Sequence, residues 1–303
     1  MQIIDNKALL LKLRDPSKVV TNIPKSKTVG DNQVVVNWGL DEAQSLRQLD
    51  IKAPSPIEGQ YKWTGRHKPF SHQVSTASFL TMHKRGFCFN EQGTGKTASA
   101  IWASDYLLNK GYINRVLVIC PLSIMDSAWR DDLFTFATHR TVSVAHGSAD
   151  KRKKIIQEGA EYVVINYDGV GIVLKELQEG GFDLIIVDEA THYKNAQTTR
   201  WKNLKWLMKD DTWLWMMTGT PAAQNPTDAY GLAKLVNPTG VPRFFGAFKD
   251  KVMFKVSQFT WKIKPTATET VFNALQPAIR FTKDECLDLP PMVYLKRQIE
   301  LTT

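Results

Sequence analysis

One run of the chain combines a turn, a cation and a hydroxyl in a way that suits phosphate chemistry: Gly86-Phe87-Cys88-Phe89-Asn90-Glu91-Gln92-Gly93-Thr94-Gly95-Lys96-Thr97. The apolar residues Phe87 to Phe89 read as a buried strand, the two glycines as a tight turn, and Lys96-Thr97 as the start of a helix. Strand, loop, helix is the order of a phosphate-binding loop. Backbone N–H groups at such a turn converge on a phosphate, and the dipole of the following helix favours its negative charge. On this pattern Gly93, Thr94, Gly95, Lys96 and Thr97 cradle a nucleotide. Lys96 reaches the outer phosphates, and the Thr97 hydroxyl holds Mg²⁺. The pattern usually starts with glycine; Asn90 stands there instead, a residue that tolerates turn and left-handed geometry. The competing reading is a plain glycine turn whose lysine is solvated.

Two further strand ends supply the rest of a hydrolytic site. Leu184-Ile185-Ile186-Val187 is a buried strand that ends in Asp188-Glu189. Asp188 would hold the metal through its water shell, and Glu189 would orient or deprotonate an attacking water. Trp213-Leu214-Trp215-Met216-Met217 is a second buried strand, ending in Thr218-Gly219-Thr220-Pro221. Small hydroxyl residues there can hydrogen-bond a carboxylate and sense its state.

These residues need a scaffold that brings strand ends together. From about residue 65 to 240 apolar strands alternate with helical stretches. Strands are expected at Phe87–Asn90, Val116–Cys120, Val142–Ala145, Tyr162–Asn166, Leu184–Val187 and Trp213–Met217. Met125, Trp129, Leu133 and Phe136 follow helical spacing, as do Ala229, Leu232, Ala233 and Val236, the latter stripe opened by Thr227 as N-cap. Strands alternating with helices imply an α/β fold, a mainly parallel sheet covered by helices on both faces, with ligands at the carboxyl ends of its strands. Residues 1–60 read as a separate small α+β module, with strands at Ala8–Leu13 and Val34–Trp38, a helix at Leu40–Leu49 and a Pro-rich exit, Lys52-Ala53-Pro54-Ser55-Pro56; residues 61–303 form the main domain. The aromatic residues Phe244, Phe245, Phe248, Phe254, Phe259 and Trp261 are expected to be core.

The 303 residues carry 43% hydrophobic and 23% charged residues, an ordinary globular composition, so fibrous and disordered classes are excluded. The net charge of +9 favours a polyanionic partner, nucleic acid by default. No apolar run approaches a membrane span, and the N-terminus lacks a secretory signal pattern. Cys88, Cys120 and Cys286 are widely spaced and read as reduced thiols, not zinc ligands or disulfides, which suits a cytoplasmic setting. The run Lys151-Arg152-Lys153-Lys154 reads as a solvated helix start.

Taken together, these residues resemble the first motor lobe of superfamily-two helicases, and within it the Swi/Snf-type family of DNA translocases. Gln73, in Pro69-Phe70-Ser71-His72-Gln73, is similar to the family's adenine-reading glutamine. Asn90 to Thr97 is similar to its first motif, where a non-glycine start is usual. Cys120-Pro121-Leu122-Ser123 with the later Trp129, Ile165-Asn166-Tyr167, the box Asp188-Glu189-Ala190-Thr191-His192-Tyr193-Lys194-Asn195, and Thr218-Gly219-Thr220-Pro221 with Gln224-Asn225 follow in the family's order. Arg280, Lys283 and Leu289-Pro290-Pro291 resemble the segment that closes the lobe. The resemblance covers roughly residues 69 to 295. It implies a RecA-like P-loop lobe that uses ATP and Mg²⁺, with double-stranded or branched DNA as partner. It further implies backbone contacts from Ser123, Asn166, Tyr167, Lys194, Asn195 and Arg200, and coupling of hydrolysis to motion through Thr191, Thr218, Gly219 and Thr220. The family has histidine where Thr191 stands, with His192 one place later here; that departure falls on coupling more than on nucleotide binding. The family's second RecA-like lobe, bearing arginine fingers, is expected to lie beyond residue 303, so ATP hydrolysis by this lobe alone is expected to be very weak. The compact arrangement with a short leading module suggests a bacterial or phage-infected host. The rival readings are a motor subunit of a restriction or repair complex and a nucleotide-gated nucleic-acid-binding module without turnover.

Overall fold

The computed structural model describes residues 1–220, 225–258 and 260–286. Pro221, Gln224, Phe259 and Leu289-Pro290-Pro291 therefore lie outside the described residues.

The chain opens with four strands, β1 (Gln2–Ile4), β2 (Ala8–Lys12), β3 (Lys27–Gly30) and β4 (Gln33–Asn37), paired antiparallel in the order β1-β2-β4-β3. Alternation sets its one-sided character: Leu9, Leu11, Val34 and Val36 point inward while their neighbours do not. The following helix, Leu40–Gln48, adds Leu40, Ala43 and Leu46 to the same core. This core does not stop at residue 60. Trp38, Ile57 and Tyr61 join Ala77, Leu80, Trp102 and Tyr106 in one apolar cluster, so the leading module covers the outer face of the helices Ser71–Met82 and Lys96–Asn109.

The central sheet has seven strands, all parallel: β5 (Arg85–Cys88), β6 (Val116–Cys120), β7 (Val142–Val144), β8 (Tyr162–Asn166), β9 (Leu184–Asp188), β10 (Trp213–Met217) and β13 (Ala278–Ile279), in the order β13-β5-β10-β9-β6-β8-β7. Each expected strand is present, with ends shifted by at most two residues. The interior strands β6, β9 and β10 are buried at every position, as a sheet covered on both faces requires. Side chains of period two feed two cores. Val116, Val118, Ile186 and Trp215 face the helices Ser71–Met82 and Lys96–Asn109, whereas Leu117, Ile119, Ile185, Val187 and Leu214 face the helices Tyr167–Ile172, Thr199–Leu207 and Ala229–Val236.

Three expectations change. The stripe from Met125 is helical, but its first part, Met125–Arg130, is a widened turn with i→i+5 bonding that runs into the helix Asp131–Phe136. The stripe from Ala229 is preceded by a tight turn at Pro226–Asp228, and Asn225, not Thr227, supplies the capping oxygen, accepting from the Thr227 N–H at 3.1 Å. The aromatic stretch is largely not core. Phe248 is buried, but Phe244, Phe245 and Phe254 are exposed and Trp261 is partly covered, under Lys249. The helix Phe245–Val252 has a single inward stripe, Phe248 and Val252, and the hairpin β11 (Met253–Lys255) with β12 (Trp261–Ile263) stands apart from the main sheet.

Candidate nucleotide and nucleic-acid site

Parallel pairing brings the three chemically marked strand ends to one edge of the sheet. Met217 of β10 is paired with Cys88 of β5 on one side and with Asp188 of β9 on the other. At ~4.8 Å between strands, the root of the glycine loop and the acidic pair lie about 10 Å apart. The Thr218-Gly219-Thr220 segment leaves the strand between them.

The loop from Asn90 to Gly95 is held from several sides. Gly93 and Gly95 have φ of +82° and +77°, the left-handed region that glycine enters without a Cβ penalty. At Gly95 a Cβ would also stand 2.0 Å from Gln73 Nε2, so glycine is required for space as well. Gln73 is buried. Its Oε1 accepts from the Phe70 N–H at 3.0 Å, and its Nε2 donates to the Thr94 carbonyl at 3.4 Å, so the glutamine braces the loop. Lys96 Nζ donates to the Glu91 carbonyl at 3.2 Å, and Thr97 follows it on the first turn of the helix Lys96–Asn109.

Asn90 is explained differently from the expectation. Its φ is not positive. Its fully buried side chain donates to Thr76 Oγ1 at 2.8 Å and accepts from the Phe281 N–H at 3.0 Å, tying the helix Ser71–Met82 and the segment after β13 to the loop.

Asp188 is buried, and burial pushes its carboxyl above the usual carboxylate range. The Trp129 indole N–H at 3.1 Å and the Glu189 N–H at 3.0 Å oppose that rise, and the nearby Lys96 charge does so too. Glu189 is a non-glycine residue with φ +51°, ψ +57°, a strained conformation of the kind that collects at functional sites. Its Oε2 accepts from Thr218 Oγ1 at 3.3 Å, and the Thr218 N–H in turn donates to the Cys88 carbonyl at 3.0 Å. Thr218 thus touches both the acidic pair and the root of the loop. Gly219 packs on the backbone of Asn90, Glu91 and Gln92, and the Thr220 N–H bonds to Thr218 Oγ1 at 3.3 Å. Thr191 lies in the short turn Ala190–Tyr193. The ring of the neighbouring His192 leans on Tyr167, 4.6 Å between centroids.

The donor set fits a magnesium triphosphate. It combines a backbone turn with two left-handed glycines, a lysine and a threonine opening a helix, and a buried carboxylate near that lysine.

The residues expected to touch nucleic acid are spread over the segments that follow β6, β8 and β9. Ser123 is exposed on the turn after β6, and Asn166 ends β8. Arg200 pairs with Asp168 at 2.6 Å and sits over the Tyr167 ring. Lys194 pairs with Asp228 at 3.1 Å, and with Asn195 it lines a cavity of about 290 Å³ that also includes Thr227, Tyr230 and Phe245. Tyr167 departs from expectation. It is buried, and its hydroxyl donates inward to the Asp188 carbonyl, so that group does not face outward. Sequence patterns did not reveal this link, the Trp129–Asp188 bond or the acidic partners Asp168 and Asp228, because each pairs residues far apart in sequence with no spacing signature.

Fold and site define the class: a RecA-like lobe, with a glycine loop and an Asp-Glu strand end flanking a shared threonine strand. The chain belongs to the SNF2-related domain family, which matches residues 32–303. It is 26% identical over 223 residues to the ATP-dependent helicase fft2 of Schizosaccharomyces pombe, covering 70% of this chain and 16% of that protein. It is 26% identical over 262 residues to a Drosophila melanogaster SWI/SNF-related regulator of chromatin containing a DEAD/H box, covering 77% of this chain and 30% of the relative. Among solved structures it resembles the Sulfolobus solfataricus SWI2/SNF2 ATPase core in complex with dsDNA, with TM-score 0.62 and 25% identity over 73% of this chain and 46% of that one. The chain therefore spans less than half the length of each of these proteins. No helix among the described residues is long and apolar enough to cross a membrane.

Proposed function

We propose that this chain is the ATP-binding lobe of an ATP-dependent DNA translocase or helicase. The observation that carries the reading is the shared row Cys88, Met217, Asp188, which sets the glycine loop and the Asp-Glu pair about two strands apart with Thr218 between them. In this reading the backbone of Gly93, Thr94 and Gly95 holds the phosphates, Lys96 neutralises the outer ones, and Gln73 sets the loop's shape beside the base. Thr97 and Asp188 hold Mg²⁺, which supplies Lewis-acid polarisation of the phosphoryl oxygens when bound. Glu189 orients the attacking water and takes its proton. Thr218, bonded to Glu189, is suited to report the state of that carboxylate, with Gly219, Thr220 and Thr191 in the same coupling region.

The Sulfolobus relative's duplex supports DNA as the partner. Ser123, Asn166, Lys194, Asn195 and Arg200 would meet its backbone, contacts that position without reading sequence and so suit movement along DNA. Hydrolysis would be completed by a second RecA-like lobe. The test is a pair of variants in the complete motor, read by nucleotide binding and phosphate release. Lys96→Ala should lose ATP binding, whereas Glu189→Gln should keep binding and lose turnover by about 10²-fold or more. Unchanged turnover in Glu189→Gln would overturn the assignment; loss of binding in both would point to a fold defect, checked by thermal melting.

A further inference from the structure

The basic run Lys151-Arg152-Lys153-Lys154 opens the helix Ala149–Gln157, but its second member is not solvated. Arg152 is only 5% exposed. Its guanidinium donates to the carbonyls of Ala145 at 2.6 Å and Gly147 at 2.9 Å, and to Asn166 Oδ1 at 3.0 Å. None of these partners is a carboxylate, so among the described residues this buried cation has no paired anion. Such an arrangement is costly.

Asn166 occupies the position that caps the helix Tyr167–Ile172, where an asparagine ordinarily gives its side-chain oxygen to backbone amides. Here it makes no such bond; the oxygen goes to Arg152. A guanidinium carries five donors and no acceptor, so only the oxygen end of the amide can face it. The orientation of Asn166 is therefore fixed by chemistry, with Nδ2 and its two hydrogens turned away from Arg152. Among the described residues Nδ2 has no hydrogen-bond partner, and it is not sealed from solvent. Space for the pair is kept by Gly169. A Cβ there would stand 2.3 Å from Arg152 Nη1 and 2.8 Å from Asn166 Oδ1, and Gly169 has no positive φ that would explain the glycine otherwise.

We propose that Arg152 is a positioning residue for nucleic-acid binding: it locks Asn166 so that Nδ2 is presented as a donor to a backbone phosphate, and it places a buried positive charge behind that donor. The proposal rests on the reading of Asn166 as a DNA contact. An arriving phosphate would supply the anion that Arg152 lacks, without touching it.

The test uses the purified chain, a fluorescent duplex of random sequence and anisotropy titrations at several salt concentrations. Arg152→Met should weaken duplex binding about tenfold, the size expected for one charge-assisted hydrogen bond. Asn166→Ala should weaken it similarly, and the double variant should be no weaker than Asn166→Ala alone. ATP binding should not change in Arg152→Met. Arg152→Lys, still a donor without an acceptor, should restore most of the affinity. Asn166→Asp gives a readout that holds even if Arg152→Met folds poorly. Its carboxylate completes the buried ion pair, so its melting temperature should rise while duplex affinity falls. In amide NMR spectra, duplex should shift the Asn166 side-chain pair in the wild type and not in Arg152→Met.

Duplex binding by Arg152→Met equal to wild type, or additive losses in the double variant, would overturn the positioning role and leave the DNA reading intact. A wild-type chain that fails to bind duplex at low salt would overturn both.

Discussion

Single side chains in this lobe do work that their types alone do not announce. Asn90 holds the glycine loop from its start, through a buried hydrogen bond to Thr76 and a half-buried one from the Phe281 N–H. Replacing it with glycine would restore the common loop pattern yet leave the Phe281 N–H without its acceptor and the Thr76 hydroxyl with only its bond to the His72 carbonyl. Asn90→Gly should therefore lower stability by about 1–3 kcal/mol, the cost of one buried and one half-buried hydrogen bond. Urea unfolding checks this, and an unchanged midpoint would refute the bracing role. Asp132 offers a prediction of opposite sign. Burial, with the adjacent Asp131 charge, pushes its carboxyl up to about 6 from the ordinary 3.8. The folded protein then holds that proton more tightly than the unfolded chain does. The resulting stability is complete below the unfolded value and is lost as pH rises through 6. Asp132→Asn should raise stability at pH 7 by about 1–2 kcal/mol, after allowing for partial solvent screening, and should flatten the pH dependence between about 4 and 6. Melting curves across that range would show a parallel offset instead if the carboxyl titrates normally.

Secondary-structure elements are joined by polar ties at the end of the sheet away from the nucleotide crevice. Asp105, fully buried on the helix Lys96–Asn109, accepts from Arg140 Nε at 2.6 Å, His139 Nε2 at 2.9 Å and Asn109 Nδ2 at 3.1 Å, and from the Tyr61 hydroxyl. Arg140 also reaches Glu161 beside β8 at 2.6 Å. One carboxylate thus links the leading module's exit, a core helix and the approach to β7. Asp105→Ala should cost about 2–4 kcal/mol, because four donors lose their shared buried acceptor and Arg140 keeps only Glu161 of its two carboxylates. Chemical denaturation of the variant measures this, and a loss below about 1 kcal/mol would mean that solvent screens the cluster. Apart from the Asp105–Asn109 pair on one helix, this network was not legible in the sequence, since its other pairs sit 21 to 44 residues apart. The central strands were legible for a physical reason: β6 and β10 are five-residue apolar runs, β9 is a four-residue one before Asp188, and burial on both faces leaves no alternating polar position to blur them. β13 was not legible, because two residues carry no period; it is defined by its pairing with β5. β1 and β3 are exposed throughout, so hydrophobicity marks neither. The site was legible where chemistry follows strand ends, at the glycine loop and at Asp188-Glu189. It was opaque where a side chain turns inward, as Tyr167 and Arg152 do.

For the molecule as a whole, the sheet's carboxyl edge acts as a divided platform. Toward β5 and β10 lie the glycine loop and Lys96; toward β6 and β8 lie Ser123 and Asn166; Asp188 stands at the boundary, held by Trp129 from one side and through its carbonyl by Tyr167 from the other. In the proposed function such a platform would bind Mg²⁺–ATP and a nucleic-acid backbone together, but charge at the transferred phosphate is a separate matter. Beside the loop, Arg280 lies 3.9 Å from Glu91, and the Lys283 N–H also bonds to the Glu91 carboxylate, so that local charge is already partly compensated. In the proposed motor the remaining cationic charge comes from the facing lobe, and one arginine finger is worth ~10³ to 10⁵ in rate. The 303-residue chain should accordingly bind Mg²⁺–ATP while hydrolysing it at least ~10³-fold more slowly than a two-lobed motor of the same family, with little stimulation by duplex. Phosphate release under saturating ATP measures the rate, and Lys96→Ala sets the background. Turnover within about tenfold of the complete motor would show that the lobe supplies its own transition-state charge. The search would then move to Arg280, 3.9 Å from the Glu91 carboxylate, and to Lys283, whose side chain lies beside Gly93.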